Sequence, residues 1–211
     1  MTADIAFLIY AFTSLFAIVN PVSGVMSFIS MTSSMSKEDK IYIARRSVII
    51  AGVMAIIFSI LGDFILKIFN VTADSLRVAG GVLLFLVAID MLFARTSRES
   101  ITNEEMKDAK LRENISVFPI AMPLLTGPGA ITTIIVLIRT AQDIDSKMLV
   151  IVAIIFTFVI TYLIFRYADS FNKVVGMTGM LVMTRIMGLF LGAIAVDFIS
   201  TGIKGIFNLG Y

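Results

Sequence analysis

Apolar residues occur along the chain in long blocks that are separated by short polar or charged segments. A helix needs roughly 20 apolar residues to cross a bilayer, and six blocks are long enough. They cover about residues 4–31, 45–67, 73–93, 115–138, 147–167 and 179–204. The pattern therefore predicts an all-α polytopic membrane protein with about six transmembrane helices, here called spans 1 to 6.

One strongly hydrophilic segment divides the chain between spans 3 and 4. It reads "ARTSRESITNEEMKDAKLREN" and covers about residues 94–114, whereas the other connections are short. We expect a solvated loop here, with three spans on either side of it. Residues 1–211 are accordingly predicted to form a single integral membrane domain, with one repeat at about 4–93 and another at about 115–205.

Two spans carry helix-breaking residues at their centres. Residues 114–138 lack any charge but contain "TGPGA", and span 1 contains "NPVSG". Proline inside a helix costs about 3 kcal/mol or more, but it suits the first helical position, after a capping Asn or Thr. We predict that helices 1 and 4 are discontinuous, with new half-helices at Asn20–Pro21 and at Thr126–Gly127–Pro128. The simpler alternative is a kink that neighbouring hydroxyl groups relieve.

The two halves of the chain resemble each other in the order of these features. Pro21 lies 69 positions before Asp90, and Pro128 lies 69 positions before Asp197. This agreement favours an internal repeat. Because each unit has three spans, the second copy must cross the membrane in the opposite sense. Inverted repeats with interrupted helices at matching places are a recurrent transporter pattern.

The predicted half-helix starts carry the candidate binding site. Free N–H groups and the positive end of a helix dipole would face the middle of the membrane there, which suits a carboxylate or another small anion. The candidate substrate-binding residues are Asn20, Pro21, Val22, Ser23, Gly24, Thr126, Gly127, Pro128, Gly129 and Ala130.

Four charged residues lie inside or at the margins of spans 3 and 6, namely Arg77, Asp90, Arg185 and Asp197. A charge at a helix centre costs about 2.5 to 3.5 kcal/mol on insertion scales, so partners or water are expected. Asp90 and Asp197 are candidates for coupling transport to protons. Alternatively, Arg77 and Asp90 lie at span ends and extend to the interface.

Composition excludes several classes of function. Apolar residues make up 58% of the chain, the mean hydropathy is +0.98, and 15% of residues are charged, against about 25% in soluble domains. The net charge of +2 argues against nucleic acid as a partner. There is no Cys and no His, so no metal site or other cofactor is expected. An enzyme is not expected either, because no activated nucleophile can be assembled.

Basic residues predict the orientation in the membrane. Alternate sides receive twelve and five of the Lys and Arg residues, the five being Lys67, Arg77, Arg139, Lys147 and Lys204. The richer side should be cytoplasmic, which places loop 94–114 inside and both termini outside. The first block has Asp4 instead of a positive leader, so we expect a retained span and not a cleaved signal peptide.

The motifs "NPVSG" and "PLLTGPGAI", together with the six-span length, resemble the MarC family, formerly an uncharacterised membrane family. The resemblance covers essentially the whole chain. It implies an archaeal or bacterial inner-membrane protein with two inverted three-helix repeats, similar to the SnatA-type carriers. Those carriers move glycine, alanine and similar amino acids in dependence on the proton gradient. Their broken first and fourth helices form the substrate site, which maps here onto residues 20–24 and 126–130.

Residue pattern and resemblance together predict a secondary active transporter of small neutral amino acids of the glycine, alanine and serine class. Half-helix N–H groups would hold the carboxylate, and exposed carbonyls with the Asn20 or Thr126 oxygens would hold the ammonium group. The expected partners are this small zwitterionic amino acid, protons and the lipid bilayer. Two alternatives stay open: a channel or exporter for another small solute or ion, and a membrane scaffold without a substrate.

Overall fold

The computed structural model describes residues 2–93, 115–141 and 143–208, so the predicted loop 94–114 lies outside the described residues. All regular structure in these ranges is helical. The helices are α1 (Thr2–Val19), α2 (Pro21–Met31), α3 (Lys37–Ile68), α4 (Ala73–Leu92), α5 (Ser116–Leu125, wound as a π-helix), α6 (Pro128–Thr140), α7 (Ile144–Arg166) and α8 (Ala168–Ile206).

Five segments of the described chain are long and apolar enough to cross a membrane. They are Asp4–Met31, which joins α1 and α2, together with α3, α4, α7 and α8. The helix α6 is apolar but shorter, and it forms the predicted span 4 only together with α5. The prediction of an all-helical membrane protein is confirmed, and the described chain has five to six apolar helices where about six were predicted.

The helix α8 extends from Ala168 to Ile206 but is interrupted at Gly176, whose φ of 67° and ψ of 169° are not helical. Only glycine adopts this conformation readily. The uninterrupted stretch therefore begins just after Gly176, close to the predicted start of span 6 at about residue 179. The stretch from Ala168 to Gly176, which includes the polar Asn172 and Lys173, was not predicted as part of span 6.

Polar side chains mark where the long helices begin. Ser36 accepts a hydrogen bond from the Asp39 N–H at the start of α3, and Thr72 accepts one from the Ser75 N–H at the start of α4. Asp143 caps α7, where its carboxylate accepts the Ser146 N–H over 2.7 Å. This hydrogen bond from the Ser146 backbone lowers the pKa of Asp143, because it stabilises the ionised form.

The helices α4 and α8 pack along most of their length through two glycines. A Cβ at Gly81 would lie 2.9 Å from the Ala195 carbonyl oxygen, and one at Gly188 would lie 3.1 Å from the Ala88 carbonyl oxygen. Side chains at these positions would therefore force the helices apart, as is general where membrane helices approach closely.

The buried apolar side chains form two clusters. The larger one joins every helix except α4 and includes the stacked rings of Phe28 and Phe165, whose centroids are 4.9 Å apart. The smaller one joins α4, α6 and α8 around Leu84 and Leu191. Ile18, near the end of α1, packs against both clusters. The end of α1 therefore lies where the two parts of the core meet.

Candidate functional site

The first helix break lies at Asn20. This residue has a φ of 44° and a ψ of 60°, which is the left-handed conformation that asparagine tolerates better than most residues. Pro21 then begins α2, and the Asn20 side-chain oxygen accepts the Ser23 N–H over 3.4 Å. The predicted break with an asparagine cap is thus present in the structure.

A directed series of hydrogen bonds ties this break to α8. The Asn20 amide nitrogen donates to the Ser23 hydroxyl oxygen over 2.7 Å. The Thr184 hydroxyl donates to the Met180 carbonyl over 2.8 Å. Since its only proton is used there, Ser23 must be the donor in the 2.7 Å bond between Ser23 and Thr184. The series therefore runs from Asn20 through Ser23 and Thr184 to the α8 backbone.

The second break lies at Thr126 and Gly127. Gly127 has extended backbone geometry and occupies the N-cap of α6, where no side chain makes a capping hydrogen bond. The prediction that Thr126 caps this half-helix is wrong, whereas the prediction that its oxygen contacts the ligand stays a prediction. Its fully buried hydroxyl instead donates to the Ala51 carbonyl of α3 over 3.0 Å. Thr126 therefore anchors the break to α3.

The start of α6 is buried and uncapped. Its first backbone hydrogen bond runs from the Ile131 N–H to the Gly127 carbonyl, so the N–H groups of Gly129 and Ala130 precede the helical ladder. Both residues are buried, whereas Pro128 is exposed. At the start of α2, the Asn20 side-chain oxygen accepts the N–H of Ser23, the third residue of that helix. Ala130 holds the same position in α6, but Gly127 has no side chain that could accept its N–H. Within the described residues, these two N–H groups at the start of α6 thus have no acceptor.

The two breaks are neighbours in space. A Cβ at Gly129 would lie 3.3 Å from Cδ1 of Ile18 in α1 and 3.0 Å from Cδ2 of Leu84 in α4. Two turns further along α4, the Met91 sulfur accepts a long hydrogen bond of 3.6 Å from the Asn20 amide. The end of α1, the start of α6 and one face of α4 therefore enclose a common region.

A buried hydroxyl that the sequence analysis missed lies next to this region. Thr133 is one turn after Gly129 on α6, so it shares the face that contacts α1 and α4. Its hydroxyl is fully buried and has no hydrogen-bond partner among the residues that the structure describes. Ser14, buried one turn before Ile18 on α1, flanks the same contact. Hydroxyl residues within an apolar run, one turn from a break, were the available signal.

Comparison with known proteins identifies the family. The profile of the MarC family integral membrane protein matches residues 5–207. The chain belongs to the MarC family. A UPF0056 membrane protein of Methanocaldococcus jannaschii is 40% identical over 202 residues, which cover 96% of this chain and 98% of the relative. One of Bacillus subtilis is 34% identical over 203 residues, 96% of each chain. No solved structure matches this chain.

Membership of the MarC family makes the chain an integral multi-pass membrane protein, and several predicted site residues serve its helix packing. Pro21, Val22 and Gly24 are buried in α2. A Cβ at Gly24 would lie 3.0 Å from the Phe165 ring, so the bare glycine lets α7 approach. These three residues position the break. At the second break, by contrast, the residues Gly127 to Ala130 leave backbone N–H groups without an acceptor in the described chain.

The four predicted intramembrane charges have different surroundings in this MarC family member. Arg77 pairs with Asp74 over 3.0 Å and donates to the Thr140 hydroxyl over 2.7 Å, so it links the start of α4 to the end of α6. Asp90 is buried, with 6% of its surface exposed, and it precedes Met91. Arg185 and Asp197 are exposed on α8. Asp90 and Arg185 are thus each adjacent in sequence to a residue that contacts the first break, namely Met91 and Thr184.

Proposed function

We propose that this chain is a secondary active transporter of small neutral amino acids of the glycine, alanine and serine class, coupled to the proton gradient. The observation that carries the proposal is the buried, uncapped start of α6 beside the end of α1. Backbone donors without acceptors are costly in a protein interior. A site that leaves two of them together is suited to a ligand that supplies the acceptors.

The start of α6 would bind the carboxylate. The N–H groups of Gly129 and Ala130 lack a side-chain acceptor, and they lie at the positive end of the α6 dipole, where anions are favoured. The start of α2 is less suitable, because Asn20 already accepts the Ser23 N–H. This assigns different tasks to the two breaks, although the sequence motifs resemble each other.

The end of α1 would bind the ammonium group. Pro21 has no N–H, so the Ala17 carbonyl one turn earlier lacks its usual donor, and the last carbonyls of α1 form the negative end of its dipole. Ile18 lies against Gly129, so the negative end of one helix adjoins the positive end of another. Such a pair of opposite helix ends matches a zwitterion whose charges are one carbon apart.

The size of the substrate would be limited by the walls of this region. Gly127 and Gly129 contribute no side chain, and the side chains of Ile18 and Leu84 cover Gly129 closely. A small amino acid therefore fits better than one with a large side chain. Thr133 offers a further hydroxyl to the ligand.

An inverted repeat would give these helices a way to expose the site alternately. Pro128, Gly188 and Asp197 each lie 107 positions after Pro21, Gly81 and Asp90, respectively. Gly81 faces the Ala195 carbonyl and the Ile199 nitrogen, whereas Gly188 faces the Ala88 carbonyl and the Leu92 nitrogen. Ala195 and Ile199 likewise lie 107 positions after Ala88 and Leu92, respectively, as expected when two copies pack about a twofold axis. This agreement supports a rocking mechanism between repeats.

The proposed location and orientation of the protein are based on the distribution of Lys and Arg along the sequence. We place the protein in the inner membrane with both termini outside and the segment 94–114 in the cytoplasm, because basic residues accumulate on that side. Protons would enter the cycle through Asp90 or Asp197. The proposed substrate region would then lie between the two sides, as alternating access requires.

Transport by purified protein in liposomes tests the proposal. A panel of labelled amino acids is supplied while the pH difference and the membrane voltage are set separately. We expect saturable uptake of glycine or alanine that increases with an inward proton gradient, and counterflow of labelled glycine at equilibrium. Liposomes without protein and liposomes with Gly127→Leu are the controls. Conductance without counterflow would support a channel instead, and no movement of any panel member would contradict the transporter.

A further inference from the structure

A groove between α3 and α7 opens on the outer surface of the helix bundle. It encloses about 440 Å³. Its walls are apolar side chains from both helices, including those of Val48, Ile56, Ile154 and Phe158. Gly52 contributes no side chain, and a Cβ there would lie 3.7 Å from the Phe158 ring. The bare backbone at Gly52 thus forms part of the floor of the groove.

The groove faces lipid. The flanking side chains of Ile49, Val53, Ile155 and Val159 are about half exposed, between 49% and 56%. In a chain that crosses the membrane, such side chains contact acyl chains and not water. An occupant must therefore be apolar over most of its length.

One end of the groove is basic. Because α3 and α7 run in opposite directions here, Arg45 near the start of α3 and Tyr162 near the end of α7 line the same end. The Tyr162 hydroxyl accepts a hydrogen bond of 2.9 Å from Arg166. Among the described residues no carboxylate pairs with Arg45 or Arg166. Arg45 and Tyr162 therefore line this end, and Arg166 adjoins it through Tyr162, with no counter-anion from the described chain.

The length of the groove corresponds to one leaflet. Arg45 and Ile56 are eleven residues apart on α3, which corresponds to about 16 Å at 1.5 Å per residue. Half of the hydrocarbon core of a bilayer is about 15 Å thick. An acyl chain whose headgroup lies at Arg45 would thus extend to the other end of the groove, at Ile56, near the bilayer centre.

We propose that this groove holds one anionic glycerophospholipid, with an acyl chain along Gly52 and Phe158 and the phosphate at Arg45 and Arg166. Basic clusters at the membrane surface attract anionic headgroups, and arginine binds phosphate with several donors. A second copy of this chain fits less well. A twofold axis along the membrane normal would bring two Arg45–Arg166 pairs, which no described carboxylate neutralises, to the same depth, where they repel each other. The proposal does not depend on the transported substrate.

Native mass spectrometry in a non-ionic detergent tests the proposal with two probes, phosphatidylglycerol and phosphatidylcholine with identical acyl chains. We expect one phosphatidylglycerol to be retained, with an affinity at least about tenfold above that of phosphatidylcholine. The double variant Arg45→Gln, Arg166→Gln should lose this preference. Gly52→Leu should weaken the binding of both lipids, because the new side chain would occupy the groove.

Matched controls separate the groove from general effects. Lys147→Gln removes one charge from the opposite end of α7, and Ala193→Leu enlarges an exposed side chain on α8; both should bind lipid normally. Equal affinity for the two lipids would overturn the proposal, as would an unchanged preference in the double arginine variant. A lipid-free dimer that dissociates in Gly52→Leu would also overturn it, in favour of a second copy in the groove.

Discussion

Ser23 of α2 donates a hydrogen bond of 2.7 Å to Thr184 of α8, so the start of a half-helix is tied to a helix 161 positions later in the chain. The same serine accepts a hydrogen bond from Asn20. The geometry of the first break therefore depends on a partner in the second half of the protein. If α8 moves relative to α2, this hydrogen bond must break; it persists only if the two helices move together.

Thr184→Val removes the acceptor for Ser23 with little change in shape. We expect the free energy of unfolding to fall by about 1–3 kcal/mol, because a part-buried hydroxyl donor loses its partner. Thermal unfolding in detergent, calibrated by denaturant titration, measures the change. The control is Thr161→Val, whose buried hydroxyl donates only to the Thr157 carbonyl of its own helix. Equal losses in both variants would contradict the special role of the Ser23–Thr184 bond.

Thr126 and Thr133 allow a comparison between a threonine that anchors the second break to α3 and one that is proposed to contact the ligand. Thr126→Val removes a hydrogen bond to Ala51, so we expect a stability loss of about 1 kcal/mol with an unchanged KM for glycine. Thr133→Val removes a hydroxyl without a partner in the described chain, so stability should hold or rise slightly. Its KM for glycine should rise about fivefold, as expected when one hydrogen bond to a ligand is lost.

Liposome uptake and thermal unfolding of both variants check this pair of predictions. A rise in the KM for glycine of Thr126→Val, with normal stability, would indicate that Thr126 contacts the ligand. An unchanged KM for Thr133→Val would remove Thr133 from the ligand contacts.

The helix breaks could be predicted from the sequence because their cause is local. Proline removes a backbone donor wherever it stands in a helix, and asparagine tolerates the left-handed conformation. The positions Asn20 and Pro128 follow from these properties alone. Hydropathy likewise gave most span limits, since the bilayer thickness fixes helix length.

The partners of the site residues could not be predicted, because they depend on packing between distant segments. The Thr126 hydroxyl has a partner in α3, 75 positions earlier, and Ser23 has one 161 positions later. Composition also does not reveal that Asn20 accepts one N–H group at its half-helix start, whereas Gly127 has no side chain to accept any at the other. The two motifs are alike in sequence and different in hydrogen bonding.

Gly129 tests whether the start of α6 is the binding site. Gly129→Leu should abolish glycine uptake, because its side chain would enter the space beside Ile18 and Leu84. Gly129→Ala is milder, since its Cβ would lie 3.0 Å and 3.3 Å from flexible side-chain ends. We expect it to fold and to raise the KM for alanine more than that for glycine. Uptake of both amino acids by proteoliposomes gives the ratio of the KM for alanine to the KM for glycine.

Gly127→Leu should also abolish uptake while the protein still inserts into the membrane. The matched control is Gly192→Ala on α8, whose Cβ would lie 3.6 Å from that of Ala88, an ordinary contact. It should transport normally. Normal glycine uptake by Gly127→Leu or Gly129→Leu would refute the assignment of the pocket.

Asp197 is the exposed member of the carboxylate pair, and Asp90 is the buried one. If Asp197 carries the coupled proton, Asp197→Asn should still exchange labelled glycine in counterflow, because exchange requires no net proton movement. Its net uptake should no longer respond to an imposed pH step, whereas the wild-type response persists. Asp90→Asn, measured in the same way, is the companion variant: loss of the pH response there alone assigns the proton to Asp90. A normal response in both variants would contradict proton coupling through either carboxylate.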